Sequence, residues 1–244
     1  MKFALIGYGK MGKTIEQVIT DQDKGDEIVL RIGEDNLHGL TISNLQKADV
    51  AIEFTRPEAA IANINLCFDA GIPVVVGTTA WLDKLDEVRK VCADKQGGLF
   101  YAPNFSIGVN IFFEINRKLA AIMNGQPQYD VAIEEIHHTE KLDAPSGTAI
   151  RAAEVIMSEH KGKSKWLLAN PWGNEHVPSG LLITAKREPH VPGTHIVTYS
   201  SEVDEIQVIH QARTRRGFAE GAVMAARWMA GRKGVYEMKD LLSF

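Results

Sequence analysis

The segment Gly7-Tyr8-Gly9-Lys10-Met11-Gly12 constrains this chain most, because it turns an apolar run directly into a helical pattern. Lys2–Ile6 ahead of it reads as a strand, and Met11, Ile15, Val18 and Ile19 recur at helical spacing behind it. A G-x-G-x-x-G turn in that setting opens a strand–turn–helix unit. Gly7 permits the tight turn, Gly9 lets a bound group approach the backbone, and Gly12 lets the helix pack closely on the sheet. A helix start near Lys10 offers free N–H groups and the positive end of the helix dipole, which suits a pyrophosphate.

The same alternation continues for about a hundred residues. Strands are predicted over Glu27–Ile32, Asp49–Phe54, Pro73–Val76 and Leu99–Tyr101, and helices over Pro57–Ala70 and Leu82–Ala93. Strands this apolar, separated by helices, indicate a doubly wound parallel sheet covered on both faces. After Asn104 the character changes. Helices are predicted over Val109–Met123, Gly147–Ser158 and Gly217–Ala230, with strands over Tyr129–Ile136, Leu181–Lys186, His195–Tyr199 and Glu205–His210. Successive strands without helices between them point to a second, α+β domain with a mixed or antiparallel sheet. The polar stretch Lys161–Gly180, with Pro171, Gly173 and Pro178, reads as a long surface loop.

Composition excludes several classes of function. A net charge of −4 over 244 residues gives no general basic field, so no nucleic-acid partner is expected. No apolar stretch approaches the roughly 20 residues that span a bilayer, so no membrane partner is expected either. MKFALIGYG lacks the features of a signal peptide, and Cys67 and Cys92 fall inside helical patterns as buried free thiols. The expected compartment is the cytoplasm.

The glycine turn calls for a dinucleotide, and other segments agree. Glu34 and Asp35 lie 22 and 23 residues past Gly12, where a carboxylate accepts the ribose 2′-hydroxyl. Either one suits the role. A carboxylate there repels the extra phosphate of NADPH, which mildly favours NADH, and both cofactors stay open. Phe54–Pro57 and Gly77–Thr79 each follow a strand, at the carboxyl edge where such sheets bind ligands.

The densest polar segment is Glu134–Ala149, EEIHHTEKLDAPSGTA. His137 and His138 face opposite sides of a regular strand, so both reach one site only if the strand ends between them. Lys141 can return toward them, and Ser146 is a candidate N-cap that leaves Gly147 and Thr148 at a helix start. Two imidazoles, an ammonium and a helix N-terminus suit a small dicarboxylate and supply a proton near neutral pH. A zinc site is the competing reading, but a third ligand at sensible spacing is missing, so no metal is expected. A histidine pair that only satisfies backbone groups is the bland alternative.

His137–Ala149, HHTEKLDAPSGTA, resembles the H-H-x-x-K-x-D-x-P-S-G-T-A signature of the dihydrodipicolinate reductases. FTRPE at Phe54–Glu58, GTT at Gly77–Thr79 and APNFSIGVN at Ala102–Asn110 extend the similarity over nearly the full chain. The resemblance implies a Rossmann-type nucleotide domain over 1–104, rejoined by 215–244, and a substrate and oligomerisation domain over 105–214 that builds a homotetramer. It implies that His137 donates a proton with Lys141 as its partner. It also implies that His138, Gly147 and Thr148 bind the substrate's carboxylates. Gly7, Tyr8, Gly9, Lys10, Met11, Gly12, Gly77, Thr78, Thr79, Ala102, Pro103, Asn104 and Phe105 are implied to bind NADH or NADPH. The family's work lies in lysine and diaminopimelate biosynthesis. Three features depart from its fuller pattern: the GYGKMG turn is one residue shorter, Glu53 stands where many members carry Asp, and the loops around Ile32–Ala48 are trimmed. Arg215 aligns with a family arginine to which no role is assigned here. Two other readings share the glycine turn: a reductase of aspartate- or homoserine-type substrates, and a non-catalytic sensor of NAD(H). Only the HHxxK…PSGT loop separates them from the first.

Overall fold

The computed structural model describes residues 1–170, 177–214 and 216–244. Arg215, and Pro171 and Gly173 of the expected loop, lie outside the described residues. In chain order the first run is β1 (Lys2–Ile6), α1 (Lys10–Asp21), β2 (Glu27–Ile32), α2 (Ile42–Leu45), β3 (Val50–Glu53), α3 (Pro57–Ala70), β4 (Val74–Val76), α4 (Leu85–Asp94) and β5 (Gly98–Tyr101). The second is α5 (Ile107–Met123), β6 (Asp130–His137), α6 (Gly147–Glu159), β7 (Lys165–Leu168), β8 (Gly180–Arg187), β9 (Gly193–Ser200) and β10 (Glu205–Ala212). The chain closes with α7 (Arg216–Met229), β11 (Gly234–Tyr236) and α8 (Met238–Leu242). Two units result, one from residues 1–107 and 216–244, the other from 108–215.

The first unit is built on a six-stranded sheet in the order β11-β5-β4-β3-β1-β2, with every pair parallel. Strand side chains alternate between faces, and here both faces are apolar. Phe3, Leu5, Ile52, Val75 and Phe100 enter one core with α1 and α7, through Ile15, Val18, Ala222 and Met229. Ala4, Ile6, Ala51, Val74, Val76 and Leu99 enter the other with α3 and α4, through Ile64, Cys67, Val88 and Cys92. Burial on two sides is what made the strands read as continuous apolar runs. α3 starts with Pro57 in its first turn, where the missing N–H is harmless, and ends at Gly71 in the left-handed conformation.

The second unit carries a five-stranded mixed sheet in the order β10-β9-β6-β8-β7. β9 runs antiparallel to β10 and β6, while β8 runs parallel to β6 and β7. One face is covered by α5 and α6, whose Phe112, Ala120, Ala152 and Ile156 pack on Val131, Ile133, Ile183, Val197 and Tyr199.

Two expectations need correction. Part of the loop expected over Lys161–Gly180 is the strand β7, paired in parallel with β8 and supported by Lys163, whose ammonium donates to the carbonyls of Pro178 and Gly180. Four residues show too little alternation to be read as a strand. The single helix expected over Leu82–Ala93 is a 3-10 turn, Leu82–Lys84, followed by α4. β11, three residues long, also went unread; it extends the first sheet beyond β5.

The glycine turn is fixed by its neighbours. The amides of Gly7 and Tyr8 both donate to the carbonyl of Ile32, and the amide of Phe54 donates to that of Ile6. Gly7 sits at φ +98°, and a Cβ there would collide with the Phe54 carbonyl. Gly7→Ala is expected to lower stability by about 1–3 kcal/mol, measured by urea unfolding; an unchanged midpoint would contradict this account of the turn.

Candidate active site

In the first unit, the carboxyl ends of β1, β2 and β3 open onto a cleft of about 890 Å³. Gly7, Tyr8 and Gly9 line it, as do Glu34 and Asp35 from the 3-10 turn after β2. Nothing lies within 4 Å of a Cβ built on Gly9, so the backbone there is open to a ligand. Lys13, Arg31 and Arg56 bring positive charge to the same cleft. Arg56 belongs to the Phe54–Pro57 segment expected at this edge; sequence reasoning did not single out Lys13 and Arg31, because a lone surface cation carries no pattern.

Tyr8 is held by its own neighbours. Its hydroxyl donates to Glu16, which also accepts from Arg31 at 2.6 and 2.9 Å. Lys10 is exposed at the start of α1, Met11 packs against the core, and Gly12 is buried under the Gly7 carbonyl. None of the three lines the cleft. Gly12 thus has a tighter reason than helix-to-sheet packing: a Cβ there would collide with the turn itself.

The second candidate group, Gly77–Thr79, lies beyond β4. A Cβ on Gly77 would collide with the ring of Phe54. Thr78 is buried and its hydroxyl oxygen accepts from the Thr55 amide at 2.8 Å, while Thr79 is exposed. Glu53, wholly buried, accepts from Thr55 and from Asn63, and its Oε2 has no partner among the described residues. Burial raises its carboxyl above the ordinary carboxylate range. Of Ala102–Phe105, Pro103 is exposed and Phe105 is core, packed on Phe54 and Phe100.

In the second unit β6 ends at His137, between the two histidines, as their sharing of one loop required. His137 is buried and His138 half-buried. Lys141 folds back, its ammonium 2.8 Å from both carboxylate oxygens of Asp143, and holds that carboxyl below its ordinary range. Arg187 at the end of β8 pins this loop by donating to the carbonyls of Lys141 and Asp143. Ser146 caps α6, its hydroxyl accepting from the Ala149 amide. Gly147 and Thr148 form the first turn of that helix, with open space around Gly147.

The sequence reading missed the residue at the centre of this cluster. Glu135 is completely buried two positions before His137, on the same face of β6. The Ser146 amide donates to both its oxygens, at 3.1 and 3.0 Å, and the Arg187 guanidinium lies 3.5 Å away. His137 Nδ1 is 3.5 Å and His195 Nε2 3.9 Å from its Oε2. The i, i+2 spacing of Glu135 and His137 was the available signal; His195 arrives from β9, directly opposite Glu135, and no local pattern announces it.

These contacts set the charges. Burial lowers the pKa of His137; the Glu135 carboxylate works against that shift, while Lys141 and Arg187 add to it. Burial likewise pushes His195 down to about 3, helped by the positive charge of neighbouring His137, His210 and Lys141. Glu135, His137 and His195 bring three ligand atoms within 4.8 Å of one another, the third ligand that sequence spacing lacked. The Ser146 amide already occupies both carboxylate oxygens and a guanidinium lies beside them, so the set is better suited to a proton than to a metal ion.

A dinucleotide-type sheet joined to a second unit with a buried imidazole, an ammonium and a helix start defines a class: oxidoreductases that use a nicotinamide cofactor. Comparison with known sequences narrows it. Family models described as "Dihydrodipicolinate reductase, N-terminus" and "Dihydrodipicolinate reductase, C-terminus" match residues 1–105 and 108–242. The 4-hydroxy-tetrahydrodipicolinate reductase of Christiangramia forsetii is 46% identical over 100% of this chain and 98% of its own. That of Laribacter hongkongensis is 35% identical over 93% and 85%. Among solved structures, a dipicolinate-bound dihydrodipicolinate reductase from Paenisporosarcina sp. TG-14 shares the fold, with a TM-score of 0.79 at 23% identity over 97% of each chain. The chain belongs to the dihydrodipicolinate reductase family.

His195 links this site to stability. Its ordinary value of 6.5 applies to the unfolded chain, so below that pH the unfolded chain gains a proton that the native one refuses until about 3. Stability is therefore full above pH 6.5 and falls as pH drops toward 3. His137 and His210, also lowered by burial, act in the same direction. The His195 contribution lost by about pH 5 is about 2 kcal/mol. Urea unfolding across this range should show His195→Gln with a flatter acid limb than the parent; equal slopes would contradict the assignment.

Proposed function

We propose that this protein is a 4-hydroxy-tetrahydrodipicolinate reductase that reduces a cyclic imine dicarboxylate in lysine and diaminopimelate biosynthesis. The observation that carries the reading is the buried imidazole of His137 in the same loop as Lys141 and the start of α6, within the HHTEKLDAPSGTA segment.

The cofactor, when bound, supplies the hydride. Loss of water from the 4-hydroxy ring leaves a conjugated imine, in which the hydride adds to the carbon β to the C=N bond and the electrons shift toward nitrogen. The α carbon must then gain a proton, and His137 is the general acid that delivers it. Lys141 and the amides of Gly147 and Thr148 hold the carboxylates, with His138 as a further donor. Their charge orients the ring and offsets the negative charge that builds during transfer. Asp143 keeps Lys141 folded into the loop until a substrate carboxylate replaces it.

The open backbone at Gly9 and the cations Lys13, Arg31 and Arg56 support a pyrophosphate in the first unit's cleft. Gly7, Tyr8, Gly9 and Glu34 line this cleft directly. Lys10, Met11 and Gly12 serve through the shape and dipole of the α1 start. Gly77, Thr78, Thr79, Ala102, Pro103, Asn104 and Phe105 would present backbone and small side chains to the nicotinamide. Either NADH or NADPH would fit, with NADH favoured because Glu34 and Asp35 line the cleft where a carboxylate would meet a ribose 2′-hydroxyl and Arg31 is already paired with Glu16.

A homotetramer built on the second sheet is part of the proposal. Its edge strand β10 exposes Ile206 and Ile209, 41% and 57% accessible, as a strand meant for a partner would. No described helix is long and apolar enough to cross a membrane. The unpaired, buried Cys67 and Cys92 suit a reducing, cytoplasmic setting.

The test is loss of NADH absorbance with enzymatically generated 4-hydroxy-tetrahydrodipicolinate; no turnover by the folded protein with either cofactor would overturn the reading. His137→Gln is expected to lower kcat by about 100-fold or more with little change in substrate KM, because only the transition state receives the proton. Lys141→Ala is expected to damage both quantities, with kcat/KM falling by on the order of 100-fold or more. A His137→Gln enzyme with near-normal kcat would remove His137 from the acid role.

A further inference from the structure

Glu135 touches none of the groups assigned to substrate or cofactor, yet it is a wholly buried acid 3.5 Å from the proposed proton donor. We propose that Glu135 is a positioning residue that keeps His137 protonatable, holding its ring with Nδ1 turned inward and leaving Nε2 as the atom that gives up the proton. This rests on the reading of His137 as general acid, and deepens it.

Geometry separates the two ring nitrogens. Nδ1 is buried and has no hydrogen-bond partner among the described residues, and Glu135 Oε2 is the carboxylate oxygen beside it. Nε2 is at the opposite end of the ring, next to Gly193 at the start of β9, where a Cβ would come within 3.0 Å. Glycine at that point leaves room around the nitrogen that must reach a substrate. Catalytic hydrogen bonds are often long in unliganded enzymes and tighten when substrate binds, so a separation of 3.5 Å suits such a pair.

Charge supplies the second argument. The groups facing His137 are Glu135 from its own strand, Lys141 and Asp143 from the following loop, Arg187 from β8 and His195 from β9, with His210 of β10 behind His195. Burial, Lys141 and Arg187 all oppose an imidazolium, and Asp143, paired with Lys141, favours it less than Glu135 does. His195, pushed down to about 3, stays neutral and offers no counter-charge. Glu135 is the largest favourable influence on a protonated His137. Its position is fixed independently of the histidine, by the Ser146 amide at both oxygens and by Arg187. A carboxylate held by the start of α6 therefore carries the orientation of the substrate helix over to the proton donor.

The experiment uses the full-length protein with labelled histidine, the His137 signals being assigned by comparison with His137→Gln. NMR of the unliganded parent should show neutral His137 protonated on Nδ1. In Glu135→Gln the His137 titration midpoint should fall, and the alkaline limb of kcat/KM should move to lower pH with it. At about pH 8, kcat is expected to drop about 10-fold while substrate KM stays within about twofold, and Glu135→Asp should recover part of the loss. An unmoved midpoint and limb in a folded Glu135→Gln protein would overturn the proposal. If that variant does not fold, the parent decides: neutral His137 protonated on Nε2 overturns it equally. The NMR arm needs no substrate, so its failure is distinct from failure of the parent protein to turn over the proposed substrate.

Discussion

One buried carboxylate ties the second unit together. Glu135 has no route to water, so its two oxygens must be satisfied from within. The Ser146 amide meets both, which fixes where α6 begins relative to the end of β6. Arg187 closes from β8 and also holds the carbonyls of Lys141 and Asp143, so the intervening polar loop has little freedom. A buried charge with a set of partners this specific is costly to disturb, because removing one member strands the others. A pre-arranged loop is what differential stabilisation of a transition state needs, since donors already in place cost no reorganisation during reaction.

The first unit is tied together by a different route. Its strand ends are locked by main-chain bonds: Gly7 and Tyr8 to Ile32, Phe54 to Ile6, Gly77 to Glu53. The glycines let those chains approach so closely that a methyl group would not fit at Gly7, Gly12 or Gly77. Side-chain chemistry is then added around the cleft, which Arg31, Lys13 and Arg56 line together with Glu34 and Asp35. Glu53, buried and raised above the ordinary carboxylate range, serves as an internal peg for Thr55 and Asn63.

The parallel sheet was legible because two-sided burial writes itself into sequence as runs such as Val74–Val76, and α3 was bounded by Pro57 and Gly71. The mixed second sheet was legible from strands that follow one another without helices. β7 and β11 were not, since four and three residues carry too little periodicity and owe their conformation to β8 and β5. The polar loop after β6 stood out through its density, and β6 ends between His137 and His138, which was the condition set for both to reach one site. Glu135 was hidden in plain view as one more strand residue. His195 and Arg187 were hidden by topology: they lie 60 and 52 positions beyond Glu135 and meet it only through the strand order β9-β6-β8.

The central claim is that this chain moves a hydride from a nicotinamide to a dicarboxylate imine. A single turnover with cofactor deuterated at the transferring position, followed by mass and NMR analysis of the product, tests it most directly. The account predicts deuterium on the ring carbon β to the imine and none left on the reactive carbon of the oxidised nicotinamide. Unreduced ring with all the deuterium still on the cofactor, in folded protein that binds both ligands, would contradict it.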